Sequence, residues 1–403
     1  MAVYAVIQYI IAAVAGLLLG YQMLLSFFAL KGKIIKNFKN FKSIKYRRFS
    51  IVIPAHNEEK VLSKTIYSLF SLLYPKTLFD VIVVADNCSD NTAKIARQLG
   101  ATVFERTNEK KQGKGYALRW AFDKILSDSQ RPDAIIVFDA DSLVSGNYLN
   151  VMNYYLEKGN RVVQSGDLVL PDSGAWSSET IRIGFLLYNY VKPLGRKVLG
   201  LDMGLRGNGM CFSTEVLEKN PWQAWSLTED VEFGLMLLLR KVKIKFAPEA
   251  IVWAQMPANS KNAESQRKRW EIGKFPVIRK FTPKLLSAFF RTGSPRYLDA
   301  CIDLVTPPLV NTLLLVVMMG GLNTILWYAG WVSQVFVWIW TGILLMGILH
   351  LFVGLYAAGA DRRIYRSILY IPIYVIWKIK VYAKAMITVS DGKWVRTKRE
   401  LEL

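Results

Sequence analysis

Hydrophobic and polar positions divide this chain into three parts. From Ala2 to Leu30 no Asp, Glu, Lys or Arg interrupts the apolar pattern. A helix of that length crosses a hydrocarbon core of about 30 Å, so residues 1–30 predict an N-terminal transmembrane helix. A cleaved signal peptide is the competing assignment. No basic segment precedes the run, and the run is longer than a signal's apolar core. A second uncharged stretch, Leu304 to Ala360, is too long for one span. Tyr328-Ala329-Gly330 divides it into spans at about 304–328 and 331–358. Pro307-Pro308 bends or delays the first of them. From Ser367 to Val389 the apolar pattern is broken by Pro372, Lys378, Lys380 and Lys384, which predicts a re-entrant or tilted interfacial segment. Residues 304–390 thus form a C-terminal transmembrane and re-entrant region.

Between these ends the period changes. Short apolar runs at Ser50–Ile53, Val81–Ala85, Thr102–Glu105, Ala134–Phe138 and Val162–Ser165 predict strands. Helical spacing occupies Glu59–Leu73, Asn91–Leu99 and Tyr116–Leu126. Ser89 or Asp90 suits the start of the second helix and Gly100 its end. This alternation predicts an α/β domain over 50–260, with a mainly parallel sheet covered by helices on both faces. In such sheets ligands bind at the carboxyl ends of the strands. Residues 261–303 alternate basic and apolar positions and predict interfacial helices.

Charge adds an orientation. The net charge is +21, with 52% hydrophobic and 21% charged residues. Lys31, Lys33, Lys36, Lys39, Lys42, Lys45, Arg47 and Arg48 fill a juxtamembrane linker at 31–49, and Arg362, Arg363 and Arg366 follow the last long span. Basic flanks face the cytoplasm, so the α/β domain and the basic tail, 391–403, are expected there. No RNA- or DNA-binding motif accompanies the charge, and no nucleic acid partner is expected. Cys88, Cys211 and Cys301 are too dispersed for a disulfide framework or a zinc site. Two histidines, His56 and His350, do not make a His-rich metal site.

Polar clusters follow the predicted strands: Pro54-Ala55-His56-Asn57-Glu58, Asp86-Asn87 and Asp139-Ala140-Asp141. In extended backbone, residues i and i+2 point the same way, so Asp139 and Asp141 converge. Paired carboxylates suit Mg2+ or Mn2+ carrying a diphosphate. A solvated turn is the plainer alternative. Asp86 can accept from a base N–H. The loop Lys110-Lys111-Gln112-Gly113-Lys114-Gly115 can admit phosphate oxygens, with Lys114 at a helix start. Gly204-Leu205-Arg206-Gly207-Asn208-Gly209-Met210 is either a close backbone approach to a ligand or an ordinary turn. Thr228-Glu229-Asp230 opens an apolar helix, Val231–Leu239. Capping needs one side chain, which leaves Asp230 as a candidate general base. Gln266, Arg269 and Trp270 share one helix face, offering an amide, a bidentate cation and a stacking ring. An amphipathic helix lying on the membrane explains that spacing equally well.

In this order, these elements resemble the membrane-embedded family 2 glycosyltransferases. Within them the chain is similar to the branch with hyaluronan, chitin-oligosaccharide, poly-N-acetylglucosamine and cellulose synthases. The resemblance covers residues 50–275 by motif. It implies a GT-A fold, Rossmann-like, and a UDP-sugar donor with Mg2+ or Mn2+. By resemblance, Pro54, Asn57, Glu58, Asp86, Lys114 and Asp139 bind the donor, and Asp139 and Asp141 hold the metal. Asp230 would be the base. Glu229, Gln266, Arg269 and Trp270 would flank the diphosphate and acceptor, and Arg396 and Thr397 would form a gating tail. The implied activity is an inverting, processive β-glycan synthase. The alternative is a glycolipid synthase acting on a membrane lipid, because such enzymes share these motifs. Few spans leave little protein to enclose a polymer channel. A polymer therefore calls for a partner protein or an oligomer.

Overall fold

Alternating burial builds the sheet. In the computed structural model, residues 2–34, 41, 45–170, 176–255, 260–372 and 374–375 are described. The first half runs α1 (Ala2–Ile34), β1 (Phe49–Ala55), α2 (Leu62–Phe70), β2 (Phe79–Asp86), α3 (Thr92–Gln98), β3 (Thr102–Arg106), α4 (Lys114–Leu126) and β4 (Ala134–Val137). It continues with β5 (Ser142–Val144), α5 (Tyr148–Glu157), β6 (Val162–Val169), α6 (Trp176–Phe185), a π-helical turn (Leu186–Val191) and α7 (Lys192–Leu199). Then come β7 (Met210–Ser213), α8 (Thr214–Lys219), α9 (Glu229–Leu239), β8 (Ile244–Ala254), α10 (Ser260–Thr292), α11 (Pro295–Val305), α12 (Leu309–Tyr328), α13 (Gln334–Ala358) and α14 (Arg362–Ser367).

The strand order is β3-β2-β1-β4-β7-β6-β8-β5. β1 pairs in parallel with β2 and β4, and β2 with β3, which is the predicted alternation. Beyond β4 the sheet is mixed: β7 lies antiparallel between β4 and β6, and β5 antiparallel to β8. β6 and β8 are again parallel, so the sheet is mainly parallel as expected, with the short strands β7 and β5 as its antiparallel members. β7 spans four residues and β5 three, too short for a periodic signal.

Successive residues of β1 enter opposite cores, as the pleat requires. Phe49, Ile51 and Ile53 pack with Leu62, Ile66 and Leu69 of α2. Val52 faces the other layer, where Leu118, Ala121 and Phe122 of α4 meet Phe212, Trp222 and Phe233. That second core does not stop at the domain edge. Ala29 of α1, Leu194 of α7, and Leu351 and Leu355 of α13 belong to the same buried cluster. The catalytic and membrane parts are thus packed against each other. Gly195 marks the closest approach: a Cβ there would overlap the Leu25 carbonyl of α1.

α1, α12 and α13 are long and apolar enough to cross a membrane. The predicted break falls as expected, with Gly330 at φ +73° between the two helices, and Pro308 precedes α12. Buried polar groups meet among these helices: Gln8 Oε1 accepts from Asn323 Nδ2 and from Trp340 Nε1. Satisfied pairs of this kind hold helices together in lipid. The expected interfacial region forms one helix, α10, that continues through Pro276 and Pro283, followed by α11. Most of the Ser367–Val389 segment, and Arg396 and Thr397, lie outside the described residues.

Candidate active site

Asparagines stitch together the turns at the carboxyl ends of β1 and β2. Asn57 and Asn87 have φ +57° and +51°, a region that Asn tolerates better than most residues. Asn57 Oδ1 accepts from the Ser89 and Asp90 backbone N–H groups at 2.7 and 3.3 Å. Asn87 Oδ1 accepts from Asn108 N at 2.7 Å. His56 Nδ1 lies 2.7 Å from the Asp86 carbonyl oxygen, and Glu58 N donates to Thr92 Oγ1 at 2.8 Å. Pro54, still within β1, and Asn57 and Glu58 therefore form one rim with the Asp86–Asp90 turn. The N-cap of α3 is Asn91, neither of the two expected residues, and its side chain makes no capping bond; Asp90, just before it, accepts from Thr92 N at 2.9 Å.

Asp86 is the last residue of β2, not a turn residue after it, and is only 5% exposed. Burial raises its carboxyl; the Arg106 guanidinium, paired with it, acts in the opposite direction. Arg106 Nη2 also donates to the Lys111 carbonyl at 2.8 Å, so this pair shapes the Lys110–Gly115 loop. In that loop Gly113 has φ +115° with open space beside it. Gly115 does not present open backbone to a phosphate, because a Cβ there would overlap the Ala224 carbonyl.

Lys114, the first residue of α4, is the hub. Its Nζ donates to Asp139 Oδ1 and to the Gly207 carbonyl, each at 2.7 Å, and lies 3.8 Å from Glu229 Oε1. Burial would lower its pKa, but Asp139 and Glu229 outweigh it and hold the ammonium well above its ordinary value. β4 ends at Val137, so Asp139 and Asp141 lie on the turn to β5 and not on extended backbone. Accordingly they do not share one exposed face: the Asp139 side chain is 38% exposed and Asp141 is buried.

The glycine-dense turn closes this cluster from the far side. Gly207 has φ +79°, and a Cβ there would stand 3.2 Å from Asp230 Oδ2. Gly209 has φ +69°, and a Cβ there would run into Ser165 Oγ. Asn208 Oδ1 accepts from Asp139 N at 3.2 Å, and the Asn208 carbonyl accepts from Gln164 Nε2 at 2.7 Å. Gln164 Oε1 accepts from Arg206 N at 3.0 Å. The backbone of this turn thus packs closely against Asp230 and Ser165. Gln164 and Asn208 hold it, and Gln164 did not stand out in the sequence. Asp167 was also missed. It is buried in β6, where Asn189 Nδ2 donates to Oδ2 at 3.1 Å; Oδ1 has no partner among the described residues. Burial pushes its carboxyl well up, and the charges of Asp139 and Asp141 add to that. A polar Gln-Ser-Gly-Asp run inside an otherwise apolar strand was the available signal.

α9 begins at Glu229, two residues before the predicted start. Thr228 does not cap it: its hydroxyl donates to the Gly273 carbonyl of α10 at 3.2 Å. Glu232 instead holds the incoming turn, accepting from Trp225 N and Ser226 N at 3.0 Å. Asp230 still meets the Val231 backbone N–H at the helix start, which opposes the effect of burial on its carboxyl. Burial pushes Glu229 up to about 7 against the pull of Lys114, and it raises Asp230 likewise. Gln266, Arg269 and Trp270 fall on α10, which Thr228 and Gly273 tie to this point; their side chains lie outside the described part of the structure.

Asp139, Asp141, Asp167, Glu229 and Asp230 thus surround Lys114. No three His, Cys, Asp or Glu residues among those described form a complete metal set. A Mg2+ or Mn2+ ion that arrives with a diphosphate needs only one or two protein carboxylates. Asp139 and Asp141 fit that need, and the orphan Oδ1 of Asp167 adds an oxygen nearby.

Comparison with known proteins agrees with this geometry. A family model described as glycosyltransferase like family 2 matches residues 47–273. The chain is 29% identical over 263 residues to a probable glycosyltransferase, YdaM, of Bacillus subtilis, covering 62% of this chain and 59% of that protein. It is 26% identical to the beta-monoglucosyldiacylglycerol synthase of Synechocystis, covering 57% of this chain and 48% of that one. It is 23% identical to a poly-beta-1,6-N-acetyl-D-glucosamine synthase of Staphylococcus aureus, covering 57% and 55%. The chain therefore spans about half the length of these relatives. Among solved structures, a mannosyltransferase of Pyrobaculum calidifontis in complex with GDP-Man and Mn2+ superposes with a TM-score of 0.55 at 14% identity, covering 87% of this chain and 99% of that one. Its likeness shows the fold. With more than half of the chain matched and the motif residues gathered at one sheet edge, the chain belongs to the glycosyltransferase-like family 2 and carries a GT-A domain.

Proposed function

We propose that this enzyme transfers a sugar from a UDP-sugar to a membrane-held acceptor at the cytoplasmic face, with inversion at the anomeric carbon. The observation that carries this is the Lys114 hub, which joins the Asp139 turn to the start of α9 at Glu229 and Asp230. Asp230 takes the proton of an acceptor hydroxyl. The freed oxygen pair forms a bond to the anomeric carbon from the face opposite the diphosphate. The bond from that carbon to the diphosphate oxygen breaks, and its electron pair leaves with UDP. Lys114 stands where it can meet that growing negative charge. Asp139 and Asp141 would hold a divalent ion, which supplies Lewis-acid stabilisation of the leaving diphosphate. Pro54, Asn57, Glu58 and Asp86 line the nucleotide side in this assignment. The Asp86–Arg106 pair then acts by holding the pocket wall in shape.

For the acceptor we favour a membrane lipid, because a cleft beside the start of α9 is lined by Asp299, to which Tyr21 of α1 donates. A growing polysaccharide is the second reading, which the Gln266, Arg269 and Trp270 element on α10 favours. The test is full-length protein in lipid nanodiscs with Mn2+ and a panel of UDP-sugars and GDP-mannose. One sugar added per lipid, seen by mass spectrometry, is the expected result. A high-mass ladder selects the polysaccharide. Transfer from GDP-mannose alone contradicts the donor assignment.

A further inference from the structure

Behind Asp230, the first turns of α9, the Asp202–Arg206 segment and α11 leave a cleft of about 570 Å³, part of it open to solvent. Val231, next to Asp230, lines it, and so does Arg206, next to Gly207. Its other end meets the membrane part, where the Tyr21 hydroxyl of α1 donates to Asp299. Leu235, Leu238 and Leu304 supply an apolar wall.

The polar wall is out of balance. Arg196, Arg206, Lys274 and Arg296 line the cleft against Asp202, Asp299 and Asp303. Asp303 is committed: Arg196 Nη1 and Arg206 Nη2 approach it at 2.9 and 3.4 Å, and Lys192 pairs with it from beneath. Burial would raise its carboxyl, but these cations hold it well below the usual range. Arg196 Nε pairs with Asp299 at 3.1 Å, and Arg296 Nε pairs with Asp202. Four cations thus line the cleft against three carboxylates, with Lys192 as a fifth cation behind Asp303. Three guanidinium nitrogens on this wall, Arg196 Nη2, Arg206 Nε and Arg296 Nη2, have no hydrogen-bond partner among the described residues. The Arg196 and Arg206 side chains are only 1% and 6% exposed. Buried N–H groups of a cation strongly favour an anionic acceptor, and the guanidinium fork matches phosphate.

We propose that this cleft binds the phosphate of a lipid headgroup and so sets the acceptor class, an inference that rests on the glycosyl transfer proposed above. The lipid's apolar part runs toward α1, and a headgroup hydroxyl reaches Asp230 past Val231.

The test needs no donor and no turnover, so its failure is separable from failure of the transferase assignment. Full-length protein is titrated with dihexanoylphosphatidic acid, dihexanoylphosphatidylcholine and inorganic phosphate by calorimetry. The phosphatidic acid is expected to bind about tenfold more tightly than the choline lipid, as charge-assisted hydrogen bonds from the unpartnered guanidinium nitrogens predict. Arg296→Gln and Lys274→Gln are each expected to remove most of that preference while UDP affinity, which reports folding, is retained. Equal affinity for the two lipids, or a preference intact in both variants, overturns the proposal. Inorganic phosphate bound as tightly as the lipid assigns the cleft to a soluble anion and overturns the lipid part.

Discussion

Lys114 separates two sets of carboxylates, and removing it has two separable consequences. A base must be deprotonated to work. Burial raises Glu229 to about 7 and raises Asp230, and Lys114 opposes both shifts. In the wild type, kcat should therefore fall on acidification at a pH above the usual aspartate range. Lys114→Met removes the opposing charge, so the acid limb of the kcat profile, taken at saturating donor, should move to higher pH. Its KM for donor should also rise. An unmoved limb would detach Lys114 from the base. At this scale the sequence was legible where a polar residue directly follows an apolar run, as at Asp86 and Asp139, and where a glycine-rich basic loop meets a helix, as at Lys114. It was less legible inside a strand. Gln164 and Asp167 act through partners far away in the chain, Asn208 and Asn189, and only a short polar run in β6 marks them.

Elements set these groups by close backbone approach. Gly209 joins β7 to the site: its N–H donates to the Val137 carbonyl at 2.9 Å, and its φ is +69°. Gly209→Ala places a Cβ against Ser165 Oγ in backbone that costs an L-residue about 1–2 kcal/mol. We expect a lower thermal midpoint and a larger loss of kcat than of donor affinity, because the Asn208 contact to Asp139 shifts with the turn. An unchanged midpoint and rate would mean that the turn yields freely. Strands β1 to β4 and β6 were readable because βαβ units alternate two clear periods. β5, β7 and β8 were not, since β5 and β7 are short and β8 carries Pro248 and Glu249 within its eleven residues. The turn position of Asp139 and Asp141 follows from the same cause: β4 ends earlier than its apolar pattern.

Over the whole molecule, the core that begins under β1 ends on α1, α7 and α13, so the active site is built onto the membrane part and not tethered to it. Both long spans and their break were legible from hydropathy alone. The Gly195–Leu25 contact was not, because it pairs residues about 170 apart, on either side of the catalytic sheet. From the basic flanks we expect the α12–α13 turn on the far side of the membrane from the sheet. In sealed, right-side-out vesicles, the thiol introduced by Ser333→Cys should react with a membrane-impermeant maleimide while Cys88 stays protected. Labelling of Cys88 with the introduced thiol protected would invert the topology.

The central claim is that Asp230 is the base of a sugar transfer at this cluster. The direct measurement is Asp230→Asn, comparing UDP-sugar affinity by calorimetry with the rate of transfer to acceptor. We predict affinity within about twofold of wild type and a rate lower by about 10³, the scale of a lost general base. A variant that transfers at the wild-type rate would contradict the account.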